Sequence, residues 1–145
     1  MSIEYILVVD FDETEKKSLH SAWFRSDLLL PPRFVHDISE AIDYFKMSLI
    51  SKLDLIPLPG IMVLGLNGHD AGWQEAMRWV RRQPALRKLL ILARSEVGNP
   101  ETAKLCCSLG ADYWVPKSDD LSEMLRLLRG VQNCWLQSHG TSSRI

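Results

Sequence analysis

Polar side chains follow four short apolar runs of the sequence, and several of them are of types that can bind a metal ion or an anion. The four clusters are Asp10-Phe11-Asp12, Gly65-Leu66-Asn67, Arg94-Ser95 and Pro116-Lys117. Carboxylates can ligate a cation, whereas a lysine ammonium or a serine hydroxyl can bind an anion. If the apolar runs are parallel strands, their carboxyl ends meet at one edge of a sheet, where such folds bind ligands. We therefore expect a single site that joins these clusters.

The pattern of the chain predicts the elements that would bring the clusters together. Apolar runs that suit strands covered on both faces alternate with segments of helical spacing. Five strands alternating with five helices predict an α/β fold, with a doubly wound parallel sheet and helices on both faces. The predicted strands are residues 6–9, 33–36, 61–64, 89–93 and 113–115.

Capping and stop signals predict where the helices begin and end. Asp37 or Ser39 is a suitable amino-terminal cap for the second helix. Pro100 suits the start of the fourth helix, because proline is tolerated in the first turn. Pro31-Pro32 is predicted to end the first helix and Gly110 the fourth. Ser118 or Asp119 is predicted to cap the last helix.

Composition limits the class of protein. The chain has 145 residues, of which 46% are hydrophobic, and this suits one domain with a core of its own. Its formal net charge of −1 gives no general electrostatic attraction for nucleic acid. It contains no signal-peptide pattern and no apolar run long enough to span a membrane, so we expect a soluble cytoplasmic protein. Cys106, Cys107 and Cys134 are expected to be buried reduced thiols. Residues 1–137 are predicted to form the domain and 138–145 a flexible tail.

The segments around the clusters resemble the receiver domains of response regulators. ILVVD (6–10) resembles their first strand, IMVLGLN (61–67) their third strand with its loop, and GADYWVPK (110–117) their fifth strand, which ends in a lysine. With the closing QNCWL (132–136), the chain is most similar to small stand-alone receivers of bacterial phytochrome systems. The resemblance covers about residues 3–136, and it implies the flavodoxin-like strand order 2-1-3-4-5.

The resemblance also implies a phosphorylation site. In receivers, two acidic groups after the first strand and an aspartate after the third hold Mg²⁺, and that aspartate attacks phosphorus. The lysine then pairs with the phosphoryl oxygens, and a hydroxyl after the fourth strand carries the signal. The corresponding positions are occupied here by Asp10, Phe11, Gly65, Asn67, Ser95 and Lys117.

The departures from this pattern fall on the groups that would do the chemistry. Gly65 stands at the acceptor position and has no side chain, and Phe11 stands at the second acidic position, where it cannot ligate a cation. Only Asp10 of the three carboxylates is kept, so it is a weak metal candidate and Mg²⁺ binding should be weak or absent. We therefore expect a degenerate receiver, or pseudo-receiver, with no catalytic residue and no cofactor.

Three functions remain open. The favoured one is a signalling module that acts by protein–protein contact, not as an enzyme, with a sensor kinase or another signalling protein as partner. The second is a sensor that binds a small anion or metabolite in the vacant pocket near Lys117, Ser95 and Gly65. The third is a receiver phosphorylated at a displaced carboxylate, Asp12 or Asp70.

An interaction face is predicted on the last strand and the helices beside it. Trp114, Leu121 and Trp135 are its candidate residues, because aromatic side chains are enriched at protein interfaces. Since related small receivers often pair through this region, the resemblance implies a possible homodimer there.

Overall fold

The computed structural model describes residues 5–9, 13–50, 57–66, 72–95, 100–117 and 121–139. Five strands alternate with five helices in this part of the chain. The strands are β1 (Ile6–Val9), β2 (Pro32–Val35), β3 (Ile61–Gly65), β4 (Leu90–Ser95) and β5 (Tyr113–Pro116). The helices are α1 (Glu13–Phe24), α2 (Ile38–Ile50), α3 (Trp73–Arg82), α4 (Pro100–Ser108) and α5 (Ser122–His139), with a 3₁₀ turn at Pro84–Leu86.

All neighbouring strands pair in parallel, in the order β2-β1-β3-β4-β5. The predicted α/β class and strand order are therefore confirmed. The strand order reverses between β1 and β3, which is where folds of this type place their ligand sites.

Successive strand residues face opposite sides of the sheet and build two separate apolar cores. Ile6 and Val8 pack with side chains of α1 and α5, and we call this side the α1/α5 face. Leu7 and Val9 pack with side chains of α2, α3 and α4 on the opposite face. Every residue of β1 and β3 is buried, which explains why these strands are apolar throughout and do not alternate with polar residues.

Helix α1 ends at Phe24, earlier than the two prolines predicted. The Ser26 hydroxyl donates to the Trp23 carbonyl at 2.6 Å and accepts the Leu28 N–H at 3.2 Å, which closes a turn. The Trp23 indole also donates to the Leu30 carbonyl at 2.9 Å. Local side-chain bonds therefore end the helix before the prolines are reached, and Pro32 belongs to β2.

The predicted start of α2 and end of α4 are confirmed. The Asp37 carboxylate accepts the Glu40 N–H at 2.8 Å, so Asp37, not Ser39, caps α2. Gly110 follows α4 with a φ of 115°, a backbone conformation that favours glycine. Its carbonyl accepts hydrogen bonds from Arg81 of α3 at 2.7 and 3.0 Å, which join α3 to the entry of β5.

The cysteines differ from one another. Cys106 is buried in the core, and burial raises the pKa of its thiol to about 11. Cys107 and Cys134 are exposed, so the expectation of burial was wrong for these two. The reason is that the adjacent Cys107 falls on the outer side of α4, while Cys134 lies on the outer side of α5.

Among the described residues, no helix is both long and apolar enough to cross a membrane.

Candidate functional site

The carboxyl edge of the sheet, formed by the ends of β3, β4 and β5, brings together three of the predicted site residues. Gly65 ends β3, Ser95 ends β4 and Lys117 directly follows β5. The Lys117 N–H donates to the Ser95 carbonyl at 2.7 Å, so these two residues are backbone neighbours. The other predicted site residues, and the two alternative acceptors, lie outside the described part of the chain: Asp10, Phe11, Asn67, Asp12 and Asp70.

A buried arginine lies at this edge beside the glycine. Arg94 of β4 is the register partner of Gly65 of β3, and its side chain is only 2% exposed. Both its Nη1 and Nη2 donate to Oε2 of Glu15, each at 3.2 Å. Glu15 lies in the first turn of α1, with 34% of its side chain exposed. The pair therefore joins the end of β4 to the start of α1.

Strand order places Gly65 beside Arg94 at this edge of the sheet. Strand β3 lies between β4, which carries Arg94, and β1, which leads into α1. By the alternation of side chains, Arg94 and a side chain at position 65 would both project from the α1/α5 face. Gly65 and Arg94 are therefore neighbours on this face, and β3 lies between Arg94 and the strand that leads into α1.

The electrostatics of this edge differ from those of a metal site. A guanidinium is always protonated, and a buried charge is tolerated only when it is paired, which Glu15 provides. A divalent cation placed nearby would meet a fixed positive charge and a carboxylate that is already engaged. The described residues contain no group of three His, Cys, Asp or Glu side chains that could hold a metal. The charge described at this edge is that of an ion pair between Arg94 and Glu15.

The hydroxyl of Ser95 faces the opposite core and has a side-chain partner. The Trp114 indole Nε1 donates to the Ser95 Oγ at 2.8 Å, and Ser95 is only 4% exposed. Trp114 lies on β5 opposite Ala93, so it reaches Ser95 diagonally across the β4–β5 pair. This hydrogen bond fixes the half-buried indole against the carboxyl edge.

The structure changes the predicted interaction face. Trp135 is only 7% exposed and belongs to the core on the α1/α5 face. A methyl group placed on Gly60 would overlap its indole, so the ring fills the space that this glycine leaves. Trp135 therefore offers little surface to a partner, because it projects from the inner side of α5. Trp114 and Leu121 are partly exposed and remain available for contact.

Sequence reasoning missed the role of the Arg94–Glu15 pair. Arg94 was visible only as the residue before Ser95, and β4 was expected to end before it. One signal was present: an arginine that continues a run of apolar strand residues must find an acidic partner if the run is buried. The sequence does not say which of 18 acidic residues that partner is.

Solved structures of response regulators share this fold. The phosphorylated cyanobacterial phytochrome response regulator RcpA aligns with a TM-score of 0.73 and 19% identity, over 94% of this chain and 96% of that one. A response regulator in red light signalling of R. palustris aligns with a TM-score of 0.69 and 21% identity, over 96% of both chains. A two-component response regulator from Legionella pneumophila aligns with a TM-score of 0.71 and 16% identity, over 89% of this chain and 98% of that one.

No protein-family model and no curated protein matches this sequence. At the identities of the structural matches, the likeness is one of fold. The chain therefore has the fold of a response-regulator receiver domain, as the sequence resemblance implied.

Proposed function

We propose that this protein is an atypical receiver in two-component signalling that acts by contact with a protein partner and without phosphorylation of its own aspartate. The observation that carries the proposal lies at the position that the resemblance assigns to the acceptor. Gly65 occupies it, and its register partner on β4 is Arg94, whose buried guanidinium is bound by Glu15. A glycine supplies no nucleophile, and no neighbouring backbone group replaces a carboxylate in attack on phosphorus.

The charge at this edge supports the same conclusion. In an active receiver, a metal ion offsets the charge of the incoming phosphoryl group. Here a guanidinium stands beside the acceptor position as a permanent cation, and a carboxylate already offsets its charge. This arrangement favours one constant charge state over a cycle of metal binding and phosphorylation.

The Ser95–Trp114 hydrogen bond supports a fixed output surface. The resemblance assigns Ser95 to the hydroxyl that reports phosphorylation, and here that hydroxyl accepts the indole N–H. The indole is therefore held in one position by the protein itself. A partner that binds better to another position of the indole can shift the population toward it. The size of that shift is limited by the difference between the partner's affinities for the two positions.

The first experiment tests phosphorylation. The protein is incubated with Mg²⁺ and acetyl phosphate, and intact mass is followed together with tryptophan fluorescence; beryllofluoride serves as a second probe. We expect no added mass and no fluorescence change. A single phosphoryl adduct that is lost at alkaline pH would contradict the proposal, and would transfer the acceptor role to a displaced carboxylate such as Asp12 or Asp70.

A second experiment tests the contact surface. The partner is a sensor kinase or another signalling protein, and Leu121, a partly exposed residue of the predicted interaction face, is the residue to change. Leu121→Glu should abolish binding to a purified candidate kinase, whereas Leu29→Glu serves as the control because Leu29 is 75% exposed outside this surface. Loss in both variants, or in neither, would refute this choice of face.

The small-anion sensor is a weaker candidate. Arg94 adds a positive charge near the vacant acceptor position, but Glu15 already binds it, and the Ser95 hydroxyl already has a partner. Both groups would have to exchange partners to bind a ligand.

A further inference from the structure

A second cluster of positive charge lies between the end of α1 and the first half of α5. Arg25, Arg126 and Arg129 line one cleft of about 260 Å³, and Asp27 is its only acidic lining residue among those described. We call it the arginine cleft; its lining residues are Arg25, Ser26, Asp27, Ser122, Leu125, Arg126 and Arg129. None of these residues belongs to the carboxyl edge. The cleft has a local excess of two positive charges in a chain whose formal net charge is −1.

Tertiary hydrogen bonds hold the two sides of the cleft together. The side-chain oxygen of Gln132, on α5, accepts the N–H groups of Leu29 and Leu30 at 2.7 and 2.9 Å. Gln132 is completely buried, so these bonds are protected from water. They hold residues 29 and 30, which follow the lining residue Asp27, against α5. A cleft whose walls are fixed in advance loses less entropy when a ligand binds.

Two of the three guanidinium groups are also positioned in advance. Arg25 donates to the Ser21 hydroxyl at 2.9 Å, and Arg129 donates to the Asp27 carboxylate at 2.9 Å. Arg126 lines the cleft, is exposed, and makes no hydrogen bond and no ion pair within the described part of the chain. The cleft therefore combines two oriented cations with one that is available.

The chemistry of the lining indicates the class of ligand. Guanidinium groups bind phosphate oxygens through paired, charge-assisted hydrogen bonds. Helix α5 directs its amino terminus, at Ser122, toward the same cleft, and the partial positive charge there favours an anion. The volume is below the roughly 300–1,000 Å³ of pockets for drug-sized ligands, which suits a small anionic group. Glu123, in the first turn of α5, is exposed and is not a lining residue.

We propose that the arginine cleft binds the phosphate or diphosphate group of a small molecule. The alternative for exposed arginines is an ordinary solvated surface, in which each side chain acts independently. Three guanidinium groups from two elements about 100 residues apart, with walls fixed by a buried glutamine, distinguish the cleft from such a surface.

The test is calorimetric titration of the intact protein with pyrophosphate at constant ionic strength. We expect one equivalent to bind, and Arg126→Gln to weaken binding about tenfold, as the loss of one charge-assisted hydrogen bond would. Asp27→Asn should strengthen binding, because it removes the negative charge that opposes an anion while the amide oxygen can still accept the Arg129 N–H. Arg82→Gln is the matched control, since Arg82 is also exposed but lies on α3, outside the cleft.

Three results would overturn the proposal: no binding heat with pyrophosphate, equal weakening by Arg82→Gln and Arg126→Gln, or unchanged affinity in Asp27→Asn. Arg126 and Arg82 are both exposed, so neither variant should affect folding, and thermal unfolding checks this. The result is independent of the phosphorylation test, because pyrophosphate donates no phosphoryl group in this assay and the variants leave the carboxyl edge unchanged.

Discussion

The Arg94–Glu15 pair makes an asymmetric prediction about stability. Removing one partner of a buried ion pair costs about 3–5 kcal/mol when the remaining charge stays buried, whereas exposed pairs contribute about 0–1 kcal/mol. Arg94 is the buried partner, with 2% of its side chain exposed, and Glu15 is the solvated one, with 34% exposed. The two single substitutions should therefore have different effects.

Glu15→Gln leaves the buried guanidinium without its carboxylate. Because solvent reaches the Glu15 side, and Arg94 has further interactions beyond this pair, we expect a loss of about 2 kcal/mol, below the fully buried range. For a chain of this size, that loss lowers the Tm by roughly 4–8 °C. Arg94→Met removes the charge and leaves an apolar side chain on an apolar face, while Glu15 can turn to water. We expect its stability to stay within about 1 kcal/mol of the unmodified protein.

Urea unfolding followed by tryptophan fluorescence measures both variants and the double variant. Glu75→Gln is the control, because the Glu75–Arg78 pair has a similar chemistry at 2.8 Å but 78% and 45% exposure. It should change stability by less than about 0.5 kcal/mol. A loss of more than about 3 kcal/mol in Arg94→Met, with little change in Glu15→Gln, would refute this reasoning and assign the role of Arg94 to packing.

Three other predictions concern the acceptor position, packing and thiol chemistry. Gly65→Asp should not restore phosphorylation by acetyl phosphate, because the new carboxylate would pair with the buried guanidinium beside it; an alkali-labile adduct in the intact mass would contradict this. Gly60→Ala should lower the free energy of unfolding by about 1–3 kcal/mol, because the new methyl group displaces the Trp135 ring. Gly130→Ala is the control: the space around its new methyl group is open, so it should raise the free energy of unfolding by up to about 1 kcal/mol. Equal Tm shifts in the two variants would refute this account of the packing. At pH 8, iodoacetamide should label the two exposed cysteines and spare Cys106. The pKa of the Cys106 thiol, about 11, keeps it protonated until the pH approaches that value, and the thiolate is the reactive form. If mass spectrometry finds Cys106 labelled as fast as the other two, the thiol is accessible and this prediction is wrong.

The sequence by itself determined the fold class and the edge of the sheet at which the candidate site residues meet. Apolar runs such as residues 61–64 could be buried on both faces only in a parallel sheet with helices on each side. That topology dictates that the residues after β3, β4 and β5 meet at one edge. The glycine at position 65 was equally plain, because the loss of a side chain is a local fact of the sequence.

Long-range contacts were decided only by the tertiary structure. The partner of Arg94 lies 79 positions away, at Glu15, and nothing in either local sequence selects the other. Trp135 illustrates the same limit, since its spacing on α5 did not reveal that Gly60 leaves room for its ring. The arginine cleft likewise joins residues about 100 positions apart, since Arg25 and Asp27 follow α1 whereas Arg126 and Arg129 lie on α5. Local patterns determine which elements form, whereas packing between distant elements determines which charges become buried, and therefore what the carboxyl edge can do.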